Sequence, residues 1–178
     1  MQVRRVVTGH DADGNAVVAS DTEVDGYRPS LTPGSEFHFL WGGDGPPHFP
    51  DDGSEPPHHP YFPAAGGFRF GFFAVPPGHR VATEPPADLD AALADFEEHM
   101  PGLRDHMEPD APGMHTTRTI DYVMVLEGEV SLELDSGEVL LKPGDCIVQR
   151  GTRHAWRNRS DAPVKMMAVM VSTREPGA

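Results

Sequence analysis

Residues 130–149 read Val130-Ser-Leu-Glu-Leu-Asp-Ser-Gly-Glu-Val-Leu-Leu-Lys-Pro-Gly-Asp-Cys-Ile-Val-Gln149, and this stretch decides the fold. Val130, Leu132 and Leu134 alternate with Ser131 and Glu133, the two-residue period of a strand with one buried face. Asp135-Ser-Gly137 supplies a turn, residues 138–141 return, Lys142-Pro-Gly-Asp145 turns again, and residues 146–149 form a third short strand. The pattern continues on both sides. Residues 121–126 read as a strand before it, and residues 154–157 and 164–172 as strands after it, with Arg150-Gly-Thr-Arg153 and Ser160-Asp-Ala-Pro163 as turns. Short strands punctuated this often predict an all-β sandwich or barrel. The chain has no long internal repeat, which excludes a solenoid or propeller.

The sequence before residue 116 is more varied. Residues 3–8 and 16–20 are β-branched runs joined by Asp11-Ala-Asp-Gly-Asn15, a hairpin signal. Residues 36–41 and 68–75 read as aromatic strands, the second placing Phe68, Phe70 and Phe72 on one face. Between them, residues 42–67 carry Pro and Gly at a density that no helix or ladder strand survives. A loop of that length is a lid or is disordered, and its Phe49, Tyr61 and Phe62 favour one that packs on something. A helix is predicted over residues 88–99, with Asp88 as N-cap, Pro101-Gly102 as stop, and Leu89, Leu93, Phe96 and Met100 as its core stripe.

Charge and composition narrow the function classes. The 178 residues hold 28 Asp plus Glu against 14 Lys plus Arg, a net charge of −14. Such a chain repels polyanions, so nucleic acid and anionic membranes are not expected partners. One cysteine, Cys146, excludes a disulfide framework and a cysteine-rich zinc site, and reads as a packed core thiol. No window is apolar enough to span a bilayer, and residues 1–10 lack the apolar core of a secretory signal, so a cytoplasmic protein is expected.

Two segments carry the candidate chemistry. In the first, His115-Thr-Thr117-Arg-Thr-Ile-Asp121 is followed by Gly128. In the second, Gly144-Asp145 is followed by Gln149-Arg-Gly151, His154 and Asn158. Together they resemble the two cupin motifs, His-x-His…Glu…Gly and Gly…Pro-x-Gly-x-x-His-x-x-x-Asn. The resemblance covers residues 112–172. It implies a small jelly-roll barrel (a double-stranded β-helix) spanning residues 1–178 as one domain. Within it, residues 1–41 would be an N-terminal β extension, 42–67 the loop, 68–110 a strand plus the flanking helix, and 111–173 the motifs.

The resemblance further implies a metal at the barrel floor, with His115, Asp121 and His154 at ligand positions and Thr117 where the second histidine belongs. Two imidazoles and a carboxylate are the donor set of a facial triad, which would hold iron(II), or manganese, zinc or nickel, for a dioxygenase-like reaction. A threonine hydroxyl is a poor ligand for such an ion. The alternative is a metal-free cupin that binds a small molecule without catalysis.

Strand alternation puts Val123 and Val125 on the face of Asp121, and Trp156 on that of His154. With Thr117, Gln149, Phe70 and Phe72 they make the expected pocket. The expected function is oxidation, decarboxylation or isomerisation of a small organic molecule, and the family implies a homodimer. Arg118, Arg153 and Arg157 are surface salt-bridge formers or carboxylate receptors. His58 and His59 read as solvated, His99 and His106 as helix-end residues, and Asn158 and Gly151 as turn formers.

Overall fold

The structure is a computed structural model and describes residues 2–58, 60–78 and 86–173. Its elements are β1 (Val3–His10), β2 (Ala16–Val24), β3 (Glu36–Gly43), β4 (Phe68–Val75), α1 (Leu89–His99), a single 3-10 turn (Arg104–His106), β5 (Thr119–Glu127), β6 (Val130–Leu134), β7 (Gly137–Leu141), β8 (Cys146–Gln149), β9 (His154–Arg157) and β10 (Val164–Ser172). All ladders are antiparallel, in a five-stranded sheet β3-β4-β10-β5-β8, a three-stranded sheet β7-β6-β9, and the separate hairpin β1-β2. This is the all-β barrel that the turn spacing predicts.

The core forms where the larger sheet faces the smaller one. Val125, Val130, Val164 and Met166 have no exposed surface, and Val123, Leu132, Leu141 and Ala168 complete the cluster. Inward positions follow from alternation: Val123 pairs with Ala168 and Val125 with Met166 across β5 and β10. Each of the Val, Leu and Met side chains contributes roughly 1.5–3 kcal/mol by leaving water.

A second apolar cluster sits beside the barrel. Phe96, Met100 and Leu103 are buried against Tyr27, Leu31, Phe37, Tyr61 and Phe62. Helix α1 is capped as predicted, with the Asp88 carboxylate accepting from the Ala91 N–H at 2.9 Å. Its buried stripe is shifted from the expected one. Ala92, Phe96 and Met100 are buried while Leu89 is 46% exposed, because the first turn projects beyond the cluster that the rest of the helix covers.

The loop 42–67 is anchored rather than loose. Arg69 of β4, 7% exposed, donates through Nε and Nη2 to the Pro60 carbonyl, through Nη1 to the Gly43 and Phe68 carbonyls, and through Nη2 to Asp44 at 2.5 Å. The Tyr61 N–H donates to the Pro101 carbonyl at 2.9 Å, and Phe62 packs on His106. These contacts place Tyr61 and Phe62 against the helix and the barrel wall, as their aromatic character suggests. Phe49, by contrast, is exposed. Cys146 is also exposed, correcting the expectation of a core thiol. It pairs with Met124 on β5, the outward face that alternates with Val123 and Val125. His59 lies outside the described residues.

Candidate functional site

Between the sheets lies a cavity of about 540 Å³, walled mainly by apolar side chains from β3, β4, β5, β9, β10 and the loop. Its polar groups are few, the usual makeup of a small-molecule site.

His115 and His154 stand side by side because their backbones form a two-residue bridge, each N–H donating to the other's carbonyl at 3.0 Å. Their ring centroids are 4.2 Å apart. Gly151 makes this placement possible: it has φ +63°, and a Cβ there would lie 2.7 Å from the Thr117 carbonyl oxygen. Only glycine lets the turn before His154 approach so closely.

Each imidazole donates from Nδ1 to a carbonyl, His115 to Gly113 at 3.0 Å and His154 to Thr152 at 2.8 Å. A carbonyl only accepts, so the proton is on Nδ1, and in the neutral ring Nε2 is an open acceptor. Burial, reinforced by the neighbouring His115, pushes His154 down to about 4. Burial also lowers His115. Both rings are therefore neutral near pH 7.

Asp121 rises from the opposite sheet. It is 8% exposed, and its Oδ1 is buried with no hydrogen-bond partner. Burial raises its carboxyl to about 6, opposed by a hydrogen bond from Thr119. Tyr61, also at the cavity, has its phenol pushed upward by burial and by the Asp121 charge.

The structure places the other expected pocket residues unevenly. Val123 and Trp156 line the cavity, while Val125 is sealed in the core. Thr117 and Gln149 are buried off the cavity. The Thr117 hydroxyl is held by Thr119 at 3.0 Å, and the Gln149 amide donates to Thr152. Phe70 and Phe72 border the cavity. Their register pairs them with Val169 and Met167, and through these with Tyr122 and Met124, the face opposite Asp121. Arg69, Gly71 and Phe73 occupy the Asp121 face instead.

The arginines of the second motif are engaged elsewhere. Arg153 grips Glu108 through two bonds of 2.7 Å and Asp135 at 2.6 Å, and Arg157 pairs with Glu133 and the Pro112 carbonyl. Both are committed to carboxylates of the protein itself. Asn158 is a turn residue, donating to Val75 and Ala162 while accepting from Ser160.

Several site residues were not legible as such in the sequence. Tyr61 comes from the loop, His38 is buried at the cavity, and His58 and His99 also line it. The signals were a tyrosine embedded in a proline-rich loop and a lone arginine, Arg69, in an aromatic strand. Neither signal says what it faces.

The donor types suit a divalent metal: two neutral imidazoles and a carboxylate with an unsatisfied oxygen. The placement does not. Among the described residues, no three His, Cys, Asp or Glu side chains are grouped so as to hold a metal ion. The two histidines cluster on the β9 side, Asp121 stands alone on β5, and Thr117 occupies the position where a second motif histidine would have joined the set. The three-ligand centre expected from His115, Asp121 and His154 is not assembled.

Residues 104–170 match the cupin domain family, so this part of the chain is a cupin domain. Phomopsin biosynthesis cluster protein C' of Diaporthe leptostromiformis is 52% identical over 64 residues, covering 35% of this chain and 34% of that protein. Oryzines biosynthesis cluster protein J of Aspergillus oryzae is 38% identical over 89 residues, 42% of this chain and 50% of that protein. The match thus spans a third to a half of these two relatives' own length. A cupin-domain-containing oxidoreductase of Neurospora crassa, srdB, is 28% identical over 172 residues, covering 96% of this chain and 74% of that protein. Among solved structures, the Schizosaccharomyces pombe Cnp3 cupin domain aligns over 95% of this chain and 87% of that chain, with a TM-score of 0.48 and 11% identity. No helix among the described residues is long and apolar enough to cross a membrane.

Proposed function

We propose that this cupin is an enzyme that moves a proton on a small, largely apolar organic molecule held in the barrel cavity, with Asp121 as the acid–base group. The observation that carries this reading is the sealed Oδ1 of Asp121, a carboxylate oxygen beside a cavity with no donor supplied by the protein. Burying such a group without a partner is costly, and active sites are where that cost is tolerated. A carboxyl at about 6 is poised to accept a proton at neutral pH and to return it. His115 and His154 accept hydrogen bonds from the bound molecule and orient it, and the aromatic walls exclude water. Proton transfer of this kind performs isomerisation or tautomerisation. Oxidation, the reaction class in the names of some relatives, uses the same proton acceptor with an external oxidant.

A direct test is deuterium wash-in at the acidic C–H of a hydroxylated aryl ketone such as 2,4-dihydroxyacetophenone in D2O, followed by NMR. Wild type should exchange it faster than buffer, and Asp121→Asn should lose at least about tenfold of that rate. Exchange equal in both proteins counts against the proposal. The second reading, a binding module without catalysis, is favoured by Thr117 at the motif's second histidine position. It predicts that ligands bind while no exchange occurs.

A further inference from the structure

Resting on the proposed use of this cavity, the hydrogen-bonding state of its polar groups narrows what it receives. We infer that the ligand is an uncharged aromatic molecule bearing two or more hydroxyl or N–H donors, and that carboxylates and phosphates are excluded.

The first observation is the polarity of the unfilled positions. His115 and His154 each commit their Nδ1 proton to a backbone carbonyl, which leaves Nε2 as an acceptor. Asp121 Oδ1 is a third acceptor, and its side chain is more than nine-tenths buried. Three acceptors without donors demand that the ligand bring the hydrogens. A ligand lacking them leaves the buried Asp121 Oδ1 unpaired and the two imidazole acceptors unused, the situation that discriminates most strongly between otherwise similar molecules.

The second observation is that the cations near the cavity are saturated. Among the described residues lining it, Arg69 carries the one guanidinium. All five of its N–H donors are used, by the carbonyls of Pro60, Gly43 and Phe68 and by Asp44. His38, also lining, has Nδ1 on the Val24 carbonyl at 3.1 Å and Nε2 on Glu36 at 2.9 Å. Two further imidazoles line it, His58 with Nδ1 on the Pro56 carbonyl at 3.0 Å and His99 with Nδ1 on the Asp95 carbonyl at 2.9 Å, and the Tyr61 hydroxyl and Trp156 indole are neutral donors. An anion would meet the Asp121 carboxylate and two lone pairs with no guanidinium or ammonium among the described lining residues free to offset them, in a chain of net charge −14.

The third observation is shape. Phe37, Phe39, Phe62, Phe73 and Trp156 provide flat apolar faces around the opening and walls, which suit a ring.

The test compares three probes of similar size by calorimetry at neutral pH: 4-hexylresorcinol, its dimethyl ether and 4-hexylbenzoate. The diol should bind about tenfold or more tighter than either of the others. His115→Phe, which removes one acceptor at a half-exposed position, should remove about tenfold of the diol affinity and leave the ether unchanged. A carboxylate that binds as well as the diol, an ether equal to the diol, or no binding by any probe overturns the inference. Binding is read without turnover. A preference for the diol with no deuterium exchange in the ketone assay therefore rejects the proton-transfer reading and leaves this inference standing. Exchange together with a preferred carboxylate does the reverse.

Discussion

At the residue scale, Asp121 and His154 pull the pH dependence of stability in opposite directions. Asp121 titrates near 6 in the fold against an ordinary 3.8, so the folded state holds the extra proton between those values. Its contribution is fully present below 3.8 and is lost as pH rises through about 6. His154 titrates near 4 against an ordinary 6.5, so the unfolded chain takes the proton first. Its contribution is present above 6.5 and is lost as pH falls through about 4. Each effect is on the order of 3 kcal/mol, and the two nearly cancel across the same window. His115, also lowered, adds to the His154 side. Asp121→Asn should therefore expose a stability that rises with pH from 4 to 6.5, and at pH 7 the variant should exceed wild type by roughly 1–3 kcal/mol in urea unfolding. His154→Gln should show the reverse slope. A wild-type profile as steep as that of Asp121→Asn would show that Asp121 does not carry the raised titration. The motif spacing made these residues legible one by one. It did not show that His115 and His154 touch while Asp121 stands apart, because that depends on which sheet each strand joins.

At the scale of elements, the loop 42–67 and strand β4 act as one unit through Arg69. The guanidinium is buried and its partners are backbone carbonyls from three places in the chain, so the loop is a fixed wall of the cavity. Replacing it with methionine keeps the apolar stem and removes the guanidinium donors from those carbonyls and from Asp44. Arg69→Met should cost about 3 kcal/mol and open residues 44–60 to rapid limited proteolysis while the β5–β10 ladder stays protected from hydrogen exchange. Unchanged cleavage of the loop would mean that its anchor lies elsewhere. For the helix, Asp88→Ala should cost about 1 kcal/mol in thermal or urea unfolding, the usual loss of an N-cap. The sequence announced this loop by its proline and glycine content and the helix by its cap and stop signals. It gave no hint that an arginine within an aromatic strand fastens the two.

For the molecule as a whole, the hydrophobic core formed by β5, β6, β7 and β10 is built of apolar side chains. Addition of a chelator such as EDTA or phenanthroline should leave both the melting temperature and diol binding unchanged. A marked drop in melting temperature, together with near-stoichiometric metal in the purified protein, would show that the histidines and Asp121 do converge on an ion. The net charge of −14 lies on a surface rich in exposed carboxylates, while the cavity is lined by two, Asp121 and Glu98, beside one guanidinium, Arg69. That separation matches an uncharged ligand.

The sequence by itself determined the all-β architecture, the approximate positions of its strands and the cupin motif positions. Those rest on local signals: a two-residue period, turn residues, a cap and fixed motif intervals. The tertiary structure alone decided the make-up of the site. Phe70 and Phe72 belong to the face opposite Asp121, Val125 is core, and Thr117 and Gln149 are bound to neighbours, while Tyr61 and Arg69 are brought in from outside the motifs. The physical reason is that alternation fixes which residues share a face within one strand. The partner strand, its register and the packing of the loop fix which face becomes the cavity.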